Sequence, residues 1–566
     1  MKIEDKKLLA TIEAFRRAVV DDMRVDKAEA LELLEFARPL ARTYKEMADF
    51  VKLLEKVLED GKVTQEESVQ VGAYLAWLTK EEETPVEEKG FLGKLFKLGR
   101  NRTTVKAEFV AGLTTFMTMA YILAVNPNLL SIAGIPRGGV FVATALAAIV
   151  GTLLMAIMSN YPFVLAPGMG LNAFLTFGVC LGMGYSWQFA LLAVFVEGLI
   201  FLALSLTPVR ESIFNSIPFS LKKAVAAGIG LFICFIACQT SNIIVDNPAV
   251  LVGLQSFKNF GSNMHQVTAL LAIIGTILTA VMLVLRIRGA ILFGIFITWG
   301  IGMIFQATGL YVPNPELKCF SIYPSFSMGD IAGVFKEFGS TVGAIFSADG
   351  WTHTVKQADG AMKVVGSGWD LVKSLDFFVV MFAFFFVDLF DTLGTLIGVS
   401  MKGGFLTKEG KLPRISGALC ADAIATSVGA VLGTSTTTTY VESASGVMAG
   451  GRTGLTGVCS AGFFLLALLF APIFLAIPAF ATAPALIVVG FMMLSSAADI
   501  DWTDSSEALP AFLTITFMPF SYSISDGIMA GVIGYTFVNL IAGKAKKIHW
   551  IMYILTALFI AKYALM

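Results

Sequence analysis

Two aspartates, Asp388 and Asp391, stand three residues apart in an otherwise apolar run, "FVVMFAFFFVDLFDTLGTLIGV". A carboxylate in hydrocarbon is costly, and where one occurs it marks a solute or ion pathway by default. The spacing puts both on roughly one face of a helix. A third acid, Glu442, follows four consecutive threonines in "GTSTTTTYVESASG". β-branched residues disfavour helix and suit a short extended segment. A carboxylate just beyond it is favoured at the first turn of a new half-helix. The three histidines all fall in or beside loops, so proton transfer in the apolar region is expected to rest on Glu442 and Asp391.

A second break answers the first. In "NYPFVLAPGMGLNAFLTFGV", Pro167 removes a backbone donor, and Gly168 and Gly170 free the chain to leave the helix. Asn172 follows directly. Non-helical backbone at membrane depth survives only when buried in protein or lining a cavity. Paired breaks in corresponding spans point to a transporter's binding site. Other readings stand beside this one. Asn172 can serve as glue between helices, the threonine hydroxyls can satisfy local backbone, and one of the two aspartates can be structural. Glu197 and Asp422 read as packing or capping groups.

The elements that hold these residues follow from composition. The chain has 566 residues, 56% hydrophobic and 15% charged, against about 25% charged in soluble domains. Many apolar stretches approach the roughly 20 residues that cross a bilayer. The fold class is therefore an all-α polytopic membrane protein, with about fourteen transmembrane helices. Basic residues in "KLFKLGRNRTTVK" precede the first span, and Arg210, Lys222, Lys223, Arg286 and Arg288 follow even-numbered ones. The positive-inside rule puts those flanks and the N-terminus in the cytoplasm, with Arg137 as an exception. Spans group as seven in residues 107–310 and seven in 375–543, separated by an outer loop at 311–374. An apolar segment at 544–566 is left over, either a further span or an interfacial helix. An odd number per half makes the second half enter from the opposite side, which is the inverted-repeat plan of many carriers.

The net charge of -1 argues against a nucleic-acid partner, and the six cysteines form no paired framework. No metal-ligand spacing, triad or phosphate loop appears, so neither an enzyme nor a cofactor is expected. Residues 1–85 read as a soluble helical domain. There "AVVDDMRVDKAEALELLEF" and "KVLEDGKVTQEESVQVGAY" repeat at an offset of 38 residues. Asp26 and Thr64 are the expected N-caps, each with Glu three residues later. A calcium-loop reading fails for want of alternating oxygen ligands, and the pattern faintly resembles TerB-like modules. A charged linker at 86–106 follows.

The motifs "AGLTTFMTMAYILAVNP", "APGMGLNAF", "DLFDTLGTLIGV", "TSTTTTYVESASGV" and "MPFSYSISDGI" together resemble the AzgA-like purine permeases of the nucleobase–ascorbate transporter superfamily. The resemblance covers about residues 100 to 565 and leaves the N-terminal domain outside. It implies two inverted repeats divided into core and gate domains, with short strands in the broken third and tenth helices. It implies a purine base (adenine, guanine or hypoxanthine) as substrate, commonly with proton symport, in the cell membrane. Carried onto this chain, the substrate residues would be Gly170, Asn172, Phe174, Asp388, Asp391, Thr438, Thr439 and Glu442. Asp391 is similar in place to a glutamate that related uracil carriers hold three residues before a glycine, here Gly394. A purine edge offers donors and acceptors that a carboxylate and an amide can discriminate, and a phenylalanine can stack on its face. The expected partners are the base, a proton and the bilayer, with a homodimer left open. The alternatives are a carrier of uracil, xanthine or an anion, or a non-transporting membrane sensor.

Overall fold

The computed structural model describes the chain apart from residues 1–7, 9–10, 16–24, 26, 60–62, 64, 80–89, 208–217, 248–249, 259, 261–262, 288, 314–320, 325–326, 357–361, 409 and 566. The expected N-caps Asp26 and Thr64, the flanking Arg210 and Arg288, and Cys319 lie outside the described residues.

The N-terminal part is helical. Helices α1 (Lys27–Leu40), α2 (Lys45–Val57) and α3 (Gln65–Thr79) close around Leu33, Phe50, Leu54, Val71 and Leu75. In α2 the buried positions Met47, Phe50, Leu54 and Val57 recur at three- and four-residue steps, so a single face meets the core. A short helix, α4 (Gly90–Phe96), stands within the stretch read as linker. Phe96 and the nearby Leu98 pack on Ala156 and Leu455, so apolar contact anchors that stretch to the membrane part.

The first repeat opens with α5 (Val105–Met119) and α6 (Ile122–Leu130), which join into one span. The Thr104 hydroxyl starts it by accepting from the Ala107 N–H at 3.2 Å. Then come α7 (Arg137–Met158), β1 (Leu165–Pro167), and α8 (Met169–Ala173), which continues as a π-helix over Phe174–Gly182. Next are α9 (Trp187–Ser205), α10 (Phe219–Thr240), the hairpin β2 (Ile244–Asn247) and β3 (Leu251–Leu254), α11 (Met264–Val284) and α12 (Ala290–Ala307). The long loop has structure of its own. It holds α13 (Met328–Thr341), started by a capping box between Ser327 and Asp330, the hairpin β4 (Thr352–Lys356) and β5 (Met362–Ser367), and α14 (Trp369–Val372).

The second repeat runs α15 (Leu375–Gly403), α16 (Ile415–Leu432), β6 (Thr437–Thr439), α17 (Ser443–Met448), α18 (Gly454–Ala467), α19 (Ala471–Ala476), α20 (Ala479–Leu494), α21 (Ser505–Phe520) and α22 (Ile524–Ile541). The last helix, α23 (Trp550–Leu565), follows, and its apolar stretch Trp550–Ala561 is shorter than a full span. Among the described residues, eleven helices are long and apolar enough to cross a membrane. The shorter pieces at β1–α8, β6–α17 and α21 fill the remaining places of the fourteen. The two broken spans are short because each gives part of its length to a strand.

Packing divides the spans into two groups. α7, α9, α15, α16 and α18 pack on one another, with α5 against α17 and α18. α10, α11, α12, α20, α21 and α22 form the other group. These correspond to the core and gate of the expected inverted-repeat plan. Large apolar side chains are bare on the periphery, Val284 at 82% and Ile541 at 83% exposure. Lipid tails accept such surface without penalty.

Candidate functional site

The two breaks meet. β1 and β6 pair antiparallel with Leu165 opposite Thr439, Ala166 opposite Thr438 and Pro167 opposite Thr437. The Gly168 N–H donates to the Thr436 carbonyl at 2.9 Å, and the Tyr440 N–H to the Val164 carbonyl at 3.0 Å. Each broken span thus supplies the other with partners for backbone groups that lipid could not satisfy. Closeness explains one glycine, since a Cβ on Gly168 would sit 2.9 Å from Thr438 Cγ2.

Asp422 of α16 pins the threonine strand. Its Oδ1 accepts from both the Thr439 N–H and the Thr439 hydroxyl, each at 3.0 Å, and its Oδ2 accepts from the Thr392 hydroxyl at 2.7 Å. Thr392 also lies 2.8 Å from the Thr438 hydroxyl and 3.3 Å from Asp388 Oδ1. Asp388, Thr392, Asp422, Thr438 and Thr439 are all fully buried or within 1% of it. Among the expected site residues, Asp388, Thr438 and Thr439 therefore belong to a network that ties α15 and α16 to the strand.

Asp391 and Glu442 differ from these. Both are only half-buried. Glu442 accepts from the Tyr121 hydroxyl at 2.8 Å, and it stands where the chain enters α17. The carboxylates of Asp391, Asp422 and Glu442 are near enough to interact electrostatically.

On the opposite break, Asn172 is fully buried. Its Nδ2 reaches the Pro167 carbonyl at a long 3.4 Å, and its Oδ1 has no hydrogen-bond partner among the described residues. A buried amide oxygen left in this state is an acceptor in want of a donor. Phe174 is fully buried with its ring 4.8 Å from Phe384 and tilted 60°. Gly170 faces the gate, where a Cβ would meet Ile229 Cγ2 of α10 at 2.6 Å.

Three residues at the site were not singled out as binding groups by their sequence signals: Tyr121, Thr392 and Glu108. A tyrosine inside an apolar span needs a partner for its hydroxyl, which was the available signal for Tyr121. Glu108 is fully buried, and its carboxylate accepts from the backbone N–H groups of Arg452, Thr453 and Thr456 and from the Thr456 hydroxyl. It caps the start of α18 and fixes the far end of the broken span. Among the described residues no group of three His, Cys, Asp or Glu is placed to hold a metal ion.

Together these features define a class: a polytopic membrane protein of two inverted seven-helix repeats whose broken spans meet at a polar centre. The chain belongs to the Permease family, whose model matches residues 106–530. The guanine/hypoxanthine permease PbuG of Bacillus subtilis is 42% identical over 474 residues, 82% of this chain and 98% of that protein. PbuO of the same organism, also a guanine/hypoxanthine permease, is 39% identical over 82% of this chain and 98% of its own. The adenine permease AdeP of Escherichia coli is 36% identical over 85% of this chain and 97% of its own. Among solved structures, the transmembrane domain of the cyanobacterial bicarbonate transporter BicA aligns with a TM-score of 0.50 at 14% identity, covering 75% of this chain and 97% of that one. The murine anion transporter Slc26a9 aligns with a TM-score of 0.51 at 13% identity, covering 82% and 74%.

Proposed function

We propose that this protein carries purine nucleobases across the cell membrane by proton symport, with its core domain moving against its gate. The observation that carries the reading is the pairing of two half-buried carboxylates, Asp391 and Glu442, with the unpartnered Asn172 oxygen at two breaks that meet. A purine needs acceptors for its N–H groups and donors for its ring nitrogens: the two carboxylates and the Asn172 oxygen accept, and a carboxyl donates while it holds the coupled proton. The names of PbuG, PbuO and AdeP support the substrate class. The fold is shared with carriers of bicarbonate and other anions, but an anion would here meet two carboxylates, which favours a neutral base or one accompanied by a proton.

In this reading Asp391 and Glu442 contact the base or exchange the proton, and Asn172 accepts from the base. Asp388, Thr438 and Thr439 hold the strand in place, and Gly170 keeps core and gate in contact. Phe174 supports the site from behind, its ring being covered by Phe384. The N-terminal domain is cytoplasmic.

Uptake of radiolabelled adenine, guanine and hypoxanthine in a transport-deficient cell, with and without a proton uncoupler, tests the reading. Saturable uptake that collapses with the uncoupler is expected. Glu442→Gln should lower the rate by at least tenfold, and full-rate uptake by that variant would remove Glu442 from the mechanism. A well-folded protein that takes up no purine would overturn the substrate class.

A further inference from the structure

Tyr522 lies in the turn between α21 and α22, at the end of the gate remote from the N-terminal helices, within the motif "MPFSYSISDGI". Its φ is 56°, in the left-handed region that a bulky side chain rarely adopts. Such strain persists only where surrounding contacts hold it, and it clusters at switch positions.

Aromatic and hydrogen-bond contacts hold it in place. Its ring meets the edges of three phenylalanines: Phe232 at 5.5 Å and Phe235 at 6.0 Å, both on α10 of the gate, and Phe177 at 5.6 Å. Its hydroxyl donates to Gln239 Oε1 of α10 at 2.6 Å. Phe177 belongs to the core. It lies on the π-helical continuation of the first broken span, three residues after Phe174. The same helix therefore carries Phe174, whose ring meets Phe384, and Phe177, whose ring meets Tyr522 across the core–gate boundary.

The two ends of the site are unlike. On the Tyr522 side Phe174, Phe177 and Phe384 are buried. Toward the N-terminal helices Asp391, Gly394 and Glu442 are partly or fully exposed. The site is thus shut at one end and open at the other, and the Phe177–Tyr522 contact is an aromatic bridge between the two domains at the shut end.

We infer that Tyr522 is the latch that closes the face opposite the N-terminal helices, the outer face on the orientation the basic flanks predict, and that this contact sets how often the site opens outward. The inference rests on the proposed carrier function. A core that slides against the gate must part Phe177 from Tyr522 before the base can enter from that side. The latch acts on population. When the competent state is a minor fraction, the apparent dissociation constant equals the intrinsic one divided by that fraction. Weakening the latch must then tighten apparent binding from outside. Simple damage to the fold does not produce that sign of effect.

The test is the half-saturating external purine concentration for uptake into cells, with surface protein quantified. Tyr522→Asn removes the ring with a residue that tolerates the left-handed turn. Phe177→Leu weakens the same contact from the core side. Tyr522→Phe keeps the ring and loses only the Gln239 bond. The first two variants should each lower the half-saturating concentration by about 3- to 10-fold, the double variant should gain little more, and Tyr522→Phe should fall between them and wild type. Unchanged or raised values in both Tyr522→Asn and Phe177→Leu, with wild-type uptake intact, overturn the latch alone. Absence of purine uptake by the wild type would instead strike the function it rests on. If Tyr522→Asn fails to reach the membrane, Phe177→Leu and Tyr522→Phe decide the matter.

Discussion

A hydroxyl has one proton, and at Thr392 three oxygens compete for it. The 2.7 Å contact to Asp422 is the shortest, so Thr392 donates its hydrogen bond to that carboxylate and the Thr438 hydroxyl donates into the Thr392 oxygen at 2.8 Å. Thr392 is thereby the joint between helix α15, helix α16 and the strand. Thr392→Val keeps the shape and removes the joint. It leaves a buried carboxylate oxygen and a buried hydroxyl short of partners, a loss of about 1 to 3 kcal/mol. Thermal unfolding of the purified protein should show a lower midpoint for Thr392→Val, with Thr392→Ser close to wild type. An unchanged midpoint for the valine variant would mean that the strand is held by its backbone ladder alone. The contrast between neighbours is as informative. Asp388 is sealed into this network while Asp391, one turn along the same face, is half-exposed. Asp391→Asn should therefore cost transport with little effect on the unfolding midpoint, and Asp388→Asn should cost both.

At the scale of elements, the broken spans were legible because their composition defies helix. Pro167 with Gly168 and Gly170, and the four threonines before Tyr440, each announce a departure that lipid will not tolerate unaided. Their meeting was implied by the inverted repeat. Their fastening was not legible. Thr392, Asp422 and Tyr121 act through partners 30, 17 and 321 residues away in the chain, and no local pattern reports such separations. Asp422 looked like a cap or packing group and is the strand's principal anchor. The structure within the long loop between the repeats was hidden for a similar reason, since its hairpin and helix carry ordinary polar sequence. Gly170, a substrate residue by resemblance, also stands where α8 comes close to Ile229 of α10. Gly170→Ala should push Ile229 and the gate away and lower uptake about tenfold or more, since small misplacements at a site are that costly. Ile229→Ala in the same chain should restore much of it. Failure of rescue would mean that the glycine serves the backbone of the break rather than the contact. Helix starts also carry pH dependence. Asp504 caps α21, and the Ser506 hydroxyl and N–H, then Lys544, hold its carboxyl down at about 2. A lowered carboxyl contributes stability above its unfolded value, and that stability is lost as pH falls toward 2. Asp504→Ala should lower the unfolding midpoint at pH 6, by about 1 kcal/mol of cap energy, and the difference from wild type should shrink near pH 2.

At the scale of the whole molecule the N-terminal helices are the addition. The family match begins at residue 106, and PbuG and PbuO are covered over 98% of their lengths by 82% of this chain. Helices α1–α3 lie before the stretch that the family model matches, and they are seated on the membrane part. Helix α3 rests against α15, with Ala73 and Val69 in the apolar cluster of the membrane part. Lys408 lies over the Trp77 ring at 5.7 Å, and Gly410 abuts Val69 and Gln70. The seat is the turn that follows α15, the helix that carries Asp388 and Asp391. A contact of this kind can bias the core without forming the site, since small interfaces within a chain allow relative motion. Removing residues 1–85 should then leave uptake within about threefold once corrected for surface protein. Trp77→Ala in the intact chain should reproduce the direction of that change, because it weakens the seat without deleting the helices. Complete loss of uptake by the truncated chain, with the protein still in the membrane, would make these helices part of the carrier's working structure. An identical rate in truncated and Trp77→Ala chains, both indistinguishable from wild type, would leave the seat without influence on transport. The direction of a change is the telling part. A rise places the helices as a brake on α15, and a fall places them as its support.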